Sequence, residues 1–228
     1  MRFLCERRAL IAAARRMNAV GLNHGTAGNL SVRVDGGFLI TPGSIDYDTL
    51  EPEDLFRFDD SGQLAGDRSA PGRRPSSEWR LHADVLRQRP DVGAVLHCHS
   101  PRATALACHE RGIPGFHYMV VVAGGDRIDC APYHGFGTRA LSDATCAALA
   151  GRRACLLAHH GQVALGADPG QALALAVEVE TLAWMYLEAL RLGEPPVLAA
   201  EELERVRQRM RALAYGGWTE NGTEGQGA

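Results

Sequence analysis

The sequence predicts an α/β fold, and three features of its 228 residues carry that expectation. Apolar residues near the N-terminus recur at helical steps. Two short apolar runs, Val92–Leu96 and Ala154–Ala158, have the length of buried strands and each ends at histidines. A long apolar segment, residues 168–191, has the length of a helix with several packing partners.

Phe3, Leu4, Ile11, Ala14, Met17 and Val20 predict an amphipathic helix over residues 2–20, with Gly21 placed as a left-handed cap. The glycine-rich turn Gly21–Asn29 follows, where backbone can approach a ligand closely and its N–H groups can cradle an anion. It matches neither a Walker loop nor a dinucleotide fingerprint. Asp35-Gly36-Gly37 joins Ser31–Val34 to Phe38–Thr41 as a hairpin, and a short loop, Thr41-Pro42-Gly43-Ser44, follows it. A second hairpin is expected between Leu55–Phe58 and the residues around Leu64, then an aperiodic loop over 66–75.

Ser76 or Ser77 is placed to cap a helix running to about Gln88, and with the free N–H groups of the first turn the two hydroxyls make an anion site. Glu78 falls in that predicted first turn, where a carboxylate also suits the helix dipole as a plain capping residue. Ser100-Pro101 opens a helix to about Cys108. The apolar run 116–123 contains Tyr118, whose surroundings alone allow the ordinary role of a packed tyrosine with a tethered hydroxyl. Residues 132–138 form a loop, Thr138–Leu149 a helix, and Glu201–Ala214 a last helix after the break at Pro195-Pro196. The fold is expected to occupy residues 1–215 as one domain, with 216–228 a polar, glycine-rich tail.

Composition narrows the function. With 46% apolar residues the chain can bury a substantial core, and a net charge of −3 gives no electrostatic case for a nucleic-acid partner. No apolar run approaches the roughly 20 residues that cross a bilayer. The charged start, Met1–Arg8, is unlike a signal peptide, so a cytoplasmic location is expected. Six scattered cysteines without a Cys-x-x-Cys pair suggest reduced thiols.

Val95-Leu96-His97-Cys98-His99-Ser100 is the stretch with chemistry. Side chains at i and i+2 of a strand share a face, so His97 and His99 project together as a two-pronged clamp. Pro75-Ser76-Ser77-Glu78-Trp79 upstream and His159-His160-Gly161 downstream supply further donors, which makes a single metal site the reading of all three pieces.

Taken together, Gly21-Leu22-Asn23, Gly25-Thr26-Ala27-Gly28-Asn29, Pro75–Arg80, His97-x-His99, His117-Tyr118-Met119, Ala123-Gly124-Gly125, Ala131-Pro132-Tyr133, Phe136-Gly137-Thr138, His159-His160-Gly161 and Glu178-Val179-Glu180 resemble the metal-dependent class II aldolases of sugar phosphates. Within them the pattern is most like the L-fuculose-1-phosphate branch, and it extends to Tyr215. The resemblance implies a three-layer sandwich, a central mixed sheet flanked by helices, assembled as a tetramer with active sites between subunits. It implies zinc, with manganese or cobalt as alternatives, held by His97, His99 and His160, and by Glu78 until substrate displaces it. His159 is expected to be a neighbour of these donors. It implies phosphate binding by Thr26, Gly28, Asn29, Gly43, Ser44, Ser76 and Ser77. The order Gly43-Ser44 departs from the Ser/Thr-Gly usual there and shifts hydroxyl and flexible residue by one position.

The implied reaction is retro-aldol cleavage of a ketose 1-phosphate to dihydroxyacetone phosphate and an aldehyde. Glu78 would exchange a proton with the new hydroxymethyl carbon, and Tyr118, reaching in from the next subunit, would handle the C4 oxygen. Phe136 and Tyr215 would line the aldehyde side. Relatives with the same metal motif cleave methylthioribulose 1-phosphate, dehydrate it, decarboxylate sugar-acid phosphates or epimerise pentulose 5-phosphates, and Val120-Val121-Val122 leaves room for a different aldehyde. A non-enzymatic, adducin-head-like module lacks the metal histidines, which this sequence retains.

Overall fold

The computed structural model describes residues 1–65, 72–213 and 215. The tail 216–228, part of the loop (66–71) and Ala214 at the end of the predicted last helix lie outside the described residues. Among the described residues seven strands make one sheet: β1 (Asn29–Val34), β2 (Gly37–Ile40), β3 (Phe56–Asp59), β4 (Ala94–Cys98), β5 (Cys130–Ala131), β6 (Ala154–Leu157) and β7 (Gly161–Gly166). Their order is β3-β2-β1-β4-β7-β6-β5, antiparallel throughout except for the parallel β5–β6 pair. Six α-helices of the described residues cover it: α1 (Leu4–Ala19), α2 (Trp79–Gln88), α3 (Pro101–Ala107), α4 (Arg139–Ala148), α5 (Pro169–Leu190) and α6 (Ala200–Ala212). The expected three-layer arrangement is therefore present.

The period-2 alternation of the strands divides the core. Leu30, Val32, Leu96, Cys98, Leu156 and Ala164 pack on one face against α1, α3 and α5. Val95, Cys155, Val163 and Leu165 pack on the other against Leu81 and Val85 of α2 and Leu141 of α4. On that second face the residues of β1 are polar, Asn29, Ser31 and Arg33, while Leu30 and Val32 point away. Register places Asn29 directly opposite His97 on β4, so the two side chains rise together under α2.

Several boundaries differ from the sequence expectations. α1 ends as predicted, with Gly21 left-handed (φ 76°) and the Gly21 and Leu22 N–H groups donating to the carbonyls of Asn18 and Met17. Of the second hairpin the described residues show the bridge Phe58–Leu64 on the outer edge of β3, where the Asp59 N–H donates to the Gln63 carbonyl and the Ala65 N–H to the Arg57 carbonyl, while the other edge of β3 pairs with β2. The predicted caps are corrected too: α2 begins at Trp79 with Glu78 itself at the cap position, and Ser76 Oγ accepts the Glu78 N–H at 3.3 Å. Glu78 thus stands just before the helix, and its carboxylate does not cap it. The run around Tyr118 is a 3₁₀ helix, Tyr118–Ala123. All six cysteines are free. Among the described residues no helix is long and apolar enough to cross a membrane.

Candidate metal centre

β4 carries His97 to the sheet's end and His99 just beyond it, and the β6–β7 turn carries His160 to the same place. That approach depends on Gly161, whose added Cβ would lie 2.4 Å from the Cys98 carbonyl oxygen. Gly28 has the same role on the other side: it is left-handed (φ 72°) and a Cβ there would lie 2.8 Å from the His97 carbonyl oxygen. The sequence therefore needs glycine at both points where backbone closes around the histidines.

The three rings meet edge to face, with centroids 4.6 to 5.0 Å apart, and one ring nitrogen of each lies within 4.8 Å of the others. His97 and His99 bring their Nε2 atoms within 3.1 Å. Glu78 completes the group, with Oε2 3.3 Å from His97 Nε2 and Oε1 3.5 Å from His160 Nε2. The Gln162 carbonyl accepts from His97 Nδ1 at 2.9 Å, so the lone pair of His97 sits on Nε2 and faces the cluster.

Electrostatics agree with this geometry. Burial holds all three imidazoles below their ordinary pKa, His160 at about 4, so each ring is neutral near pH 7. Burial pushes the Glu78 carboxyl up, but His97 and His160 in their protonated forms and the Asn29 amide more than offset it, so the group titrates below the ordinary carboxylate range and is ionised near pH 7. The Asn29 amide donates to Glu78 Oε2 at 2.9 Å, whereas the buried Oε1 has no hydrogen-bond donor. Neutral-ring lone pairs and an undonated carboxylate oxygen converging on one small space repel one another unless a cation lies between them. The donor set fits a divalent metal: His97, His99, His160 and Glu78 can hold it, and three uncharged imidazoles would leave its charge undiminished.

Beside the cluster opens a cavity of about 330 Å³. Thr26, Gly28, Asn29, Gly43, Ser44, Ser76, Ser77 and Phe136 all line it, so the sequence-predicted loops do converge on the histidines. The loops are tied down. Tyr47 Oη donates to the Gly28 carbonyl at 2.7 Å, the Asn23 amide donates to the Ala27 carbonyl, and Ser76 N–H donates to the Thr41 carbonyl at 3.2 Å. Ser44 is itself left-handed (φ 58°), whereas Gly43 is not, so the inverted Gly-Ser order puts a side chain at the position that favours glycine.

Two predicted residues stand apart. Tyr118 is 47% exposed and does not line the cavity, and Tyr215 borders a separate depression with Met119, Val122 and Glu178. His159 lies outside the nitrogen cluster but does line the cavity, left-handed (φ 54°) and packed edge-on against Tyr133. Sequence reasoning assigned no role to Tyr133, His134 or His82. The signal for His82 was its place one helical turn after Glu78, on the face that α2 turns to the sheet.

Comparison with known proteins gives a consistent picture. The family model described as "Class II Aldolase and Adducin N-terminal domain" matches residues 8–187. A Rhodospirillum rubrum protein, "5-methylthioribulose-1-phosphate/5-deoxyribulose-1-phosphate aldolase", is 51% identical over 90% of this chain and 90% of its own length. The "L-fuculose phosphate aldolase" of Escherichia coli K12 is 44% identical over 90% of this chain and 93% of its own. A solved structure of an "L-fuculose 1-phosphate aldolase" superposes with a TM-score of 0.85 at 35% identity, covering 90% of this chain and 96% of that one.

Proposed function

The chain belongs to the class II aldolase family, and from the aldolases named among its relatives we propose that it cleaves a ketose 1-phosphate into dihydroxyacetone phosphate and an aldehyde with an apolar tail. The observation that carries this reading is the meeting of three neutral imidazoles and one ionised carboxylate beside a cavity rich in hydroxyls and glycine. The aldehyde class rests on the exposed aromatic wall, Tyr133 and Phe136, and on the methylthioribulose and deoxyribulose phosphates named for the 51%-identical relative. L-Fuculose 1-phosphate, named for the solved structure that superposes at 35% identity, has the same phosphate half and a methyl-ended tail.

In this reading His97, His99, His160 and Glu78 hold zinc, or manganese or cobalt in its place. When bound, the cation supplies Lewis-acid stabilisation of the negative charge released as the carbon–carbon bond breaks. The residues do the rest. The hydroxyls of Thr26, Ser44, Ser76 and Ser77 and the N–H group of Gly28, with Asn29 and Gly43 beside them in the cavity wall, grip the phosphate and fix the sugar's position. Freed when substrate takes its place, Glu78 removes a proton from the hydroxymethyl carbon in condensation; in cleavage it takes up a proton, balancing the one lost from the C4 hydroxyl, and delivers it to that carbon. Tyr118 faces outward, as it would if it served the cavity of a neighbouring subunit and took the C4 hydroxyl proton there; Tyr215 would join the aldehyde wall in the same assembly. A homotetramer is the proposed assembly.

A coupled assay for dihydroxyacetone phosphate tests the reading. We expect turnover of 5-methylthioribulose 1-phosphate, 5-deoxyribulose 1-phosphate or L-fuculose 1-phosphate. Glu78→Gln should keep its metal and lose about 10²- to 10⁴-fold in turnover, the usual worth of a positioned proton-transfer group. No product from any of the three, together with epimerisation of a pentulose 5-phosphate, would reassign the protein within its family.

A further inference from the structure

His82 is fully buried on α2, touches neither the cavity nor the histidine cluster, and has no part in the reaction as described above. Its two ring nitrogens are nonetheless both engaged, Nε2 with Asn29 Oδ1 at 2.5 Å and Nδ1 with Ser31 Oγ at 2.7 Å. These contacts form one end of a buried chain, Ser31–His82–Asn29–Glu78, in which all four residues are inaccessible or nearly so.

The direction of every hydrogen bond in the chain follows from its far end. An ionised carboxylate only accepts, so Asn29 must turn its amide nitrogen towards Glu78 and its carbonyl towards His82. His82 must then carry hydrogen on Nε2, and a neutral ring leaves Nδ1 to accept from the Ser31 hydroxyl. Run the other way, the same chain decides which end of the Asn29 amide meets Glu78. Without a donor at His82, the Asn29 carbonyl loses its partner and only repulsion from the carboxylate still opposes the flipped amide, so the amide and the carboxylate it holds are less tightly fixed.

We propose that His82 is a positioning residue: backed by Ser31, it locks the Asn29 amide in the one orientation that donates to Glu78 and so fixes the carboxylate for proton exchange. The proposal rests on the reading that Glu78 exchanges that proton. The lock explains why β1 turns polar residues towards α2 at Asn29 and Ser31, where its other face is apolar. It also leaves Glu78 Oε1 free of donors for the cation.

The test uses the metal-loaded enzyme with His82→Leu and His82→Gln. Leucine removes the donor, whereas glutamine can place an N–H where Nε2–H stands. We expect about one metal per chain in both variants, KM within about twofold of the parent, and kcat reduced about 10- to 100-fold in His82→Leu, the range typical of groups that orient a metal ligand. His82→Gln should recover most of it. Equal losses in both variants, loss of metal, or an unchanged kcat would each overturn the proposal. Nitrogen-15 spectra of histidine-labelled parent enzyme give a readout independent of activity: His82 should be the Nε2–H tautomer and His97 the Nδ1–H tautomer. An Nδ1–H His82 would overturn the lock even if His82→Leu failed to fold. Parent enzyme inactive on every ketose 1-phosphate, with the Nε2–H tautomer present, would instead sink the aldolase reading and keep the hydrogen-bond chain.

Discussion

The floor and the rim of the cavity are built on opposite terms. The floor is set by strands: His97 is fully buried, stands opposite Asn29 in the sheet register and is oriented by the Gln162 carbonyl, and Glu78 is held by Asn29. The rim is set by loops and by side chains in solvent, with Phe136 72% exposed and His159 and Ser44 in left-handed backbone. Groups that must sit within a fraction of an ångström for bond breaking are fixed by the core, while groups that meet the variable half of a substrate are on surfaces free to change. The difference teaches where this chain resembles its relatives in chemistry and where it can diverge in substrate.

The strongest test of that division removes the floor. His97→Ala with His99→Ala should abolish bound metal and bring aldolase activity to background, read by metal analysis and the coupled assay. Metal retained at the parental level in that variant would show that the imidazoles are not its donors. The fold should survive, because only side chains at the end of β4 are shortened.

A second test compares the floor's buried rings with ordinary histidines. With the metal chelated away, His82 is neutral and its pKa is pushed down to about 3 from an ordinary 6.5 by burial, with His97 acting in the same direction and Glu78 against it. Between those two values the unfolded chain binds a proton that the folded chain refuses, so stability falls as pH falls below about 6.5 and the loss levels off only near pH 3. The slope is about 1.4 kcal/mol per pH unit for each such ring. His160 adds to it with the same sign. Urea unfolding of metal-free protein at pH 7, 6 and 5 measures this, and a flat profile would mean that these rings are solvated.

How much of this was readable in advance follows the same line. The shared face of His97 and His99 was legible because strand periodicity is a rigid rule, and the helices were legible because apolar spacing and Gly21 mark them. β7 was not, although it lies in the middle of the sheet between β4 and β6: buried on both faces and ended by Gly161 and Gly166, it shows no alternation. Helical spacing put His82 on the inner face of α2, but its partners stayed hidden, because β1 lies beneath α2 through a contact across about fifty residues. For Tyr118 the apolar neighbours allow a packed role, but the 3₁₀ helix leaves it half exposed; which way one residue of such a run turns depends on the helix type, which local hydropathy does not report.

At the rim the expected effects are smaller. Phe136→Ala should leave turnover of the best substrate within a fewfold but lower kcat/KM for tails ending in methyl or methylthio by about 10-fold relative to a hydroxyl-ended tail, since removing apolar wall is worth about 1–3 kcal/mol per lost contact. Competition between two ketose 1-phosphates in one assay reads that ratio directly. An unchanged ratio would take Phe136 out of the aldehyde wall and leave Tyr133 and His159 as its candidates.

The smallest effect concerns the inverted pair on the second loop. Ser44 holds a left-handed conformation that costs an L-residue roughly 1–2 kcal/mol, and Gly43, which is not left-handed, would accept a side chain at an ordinary 3.5 Å from the Pro75 carbonyl oxygen. Exchanging them, Gly43→Ser with Ser44→Gly, relieves that strain and keeps one glycine and one hydroxyl, so the unfolded chain is almost unchanged in entropy. The exchange should therefore raise the midpoint of thermal unfolding by a few degrees, the shift expected for about 1 kcal/mol in a chain of this size. KM for the ketose phosphate separates two meanings of the inversion. A lower KM would mark Gly43-Ser44 as a weakened phosphate grip, while a higher one would mean that the Ser44 hydroxyl, held by its strained backbone, contacts the phosphate from a place that a hydroxyl one position earlier cannot reach.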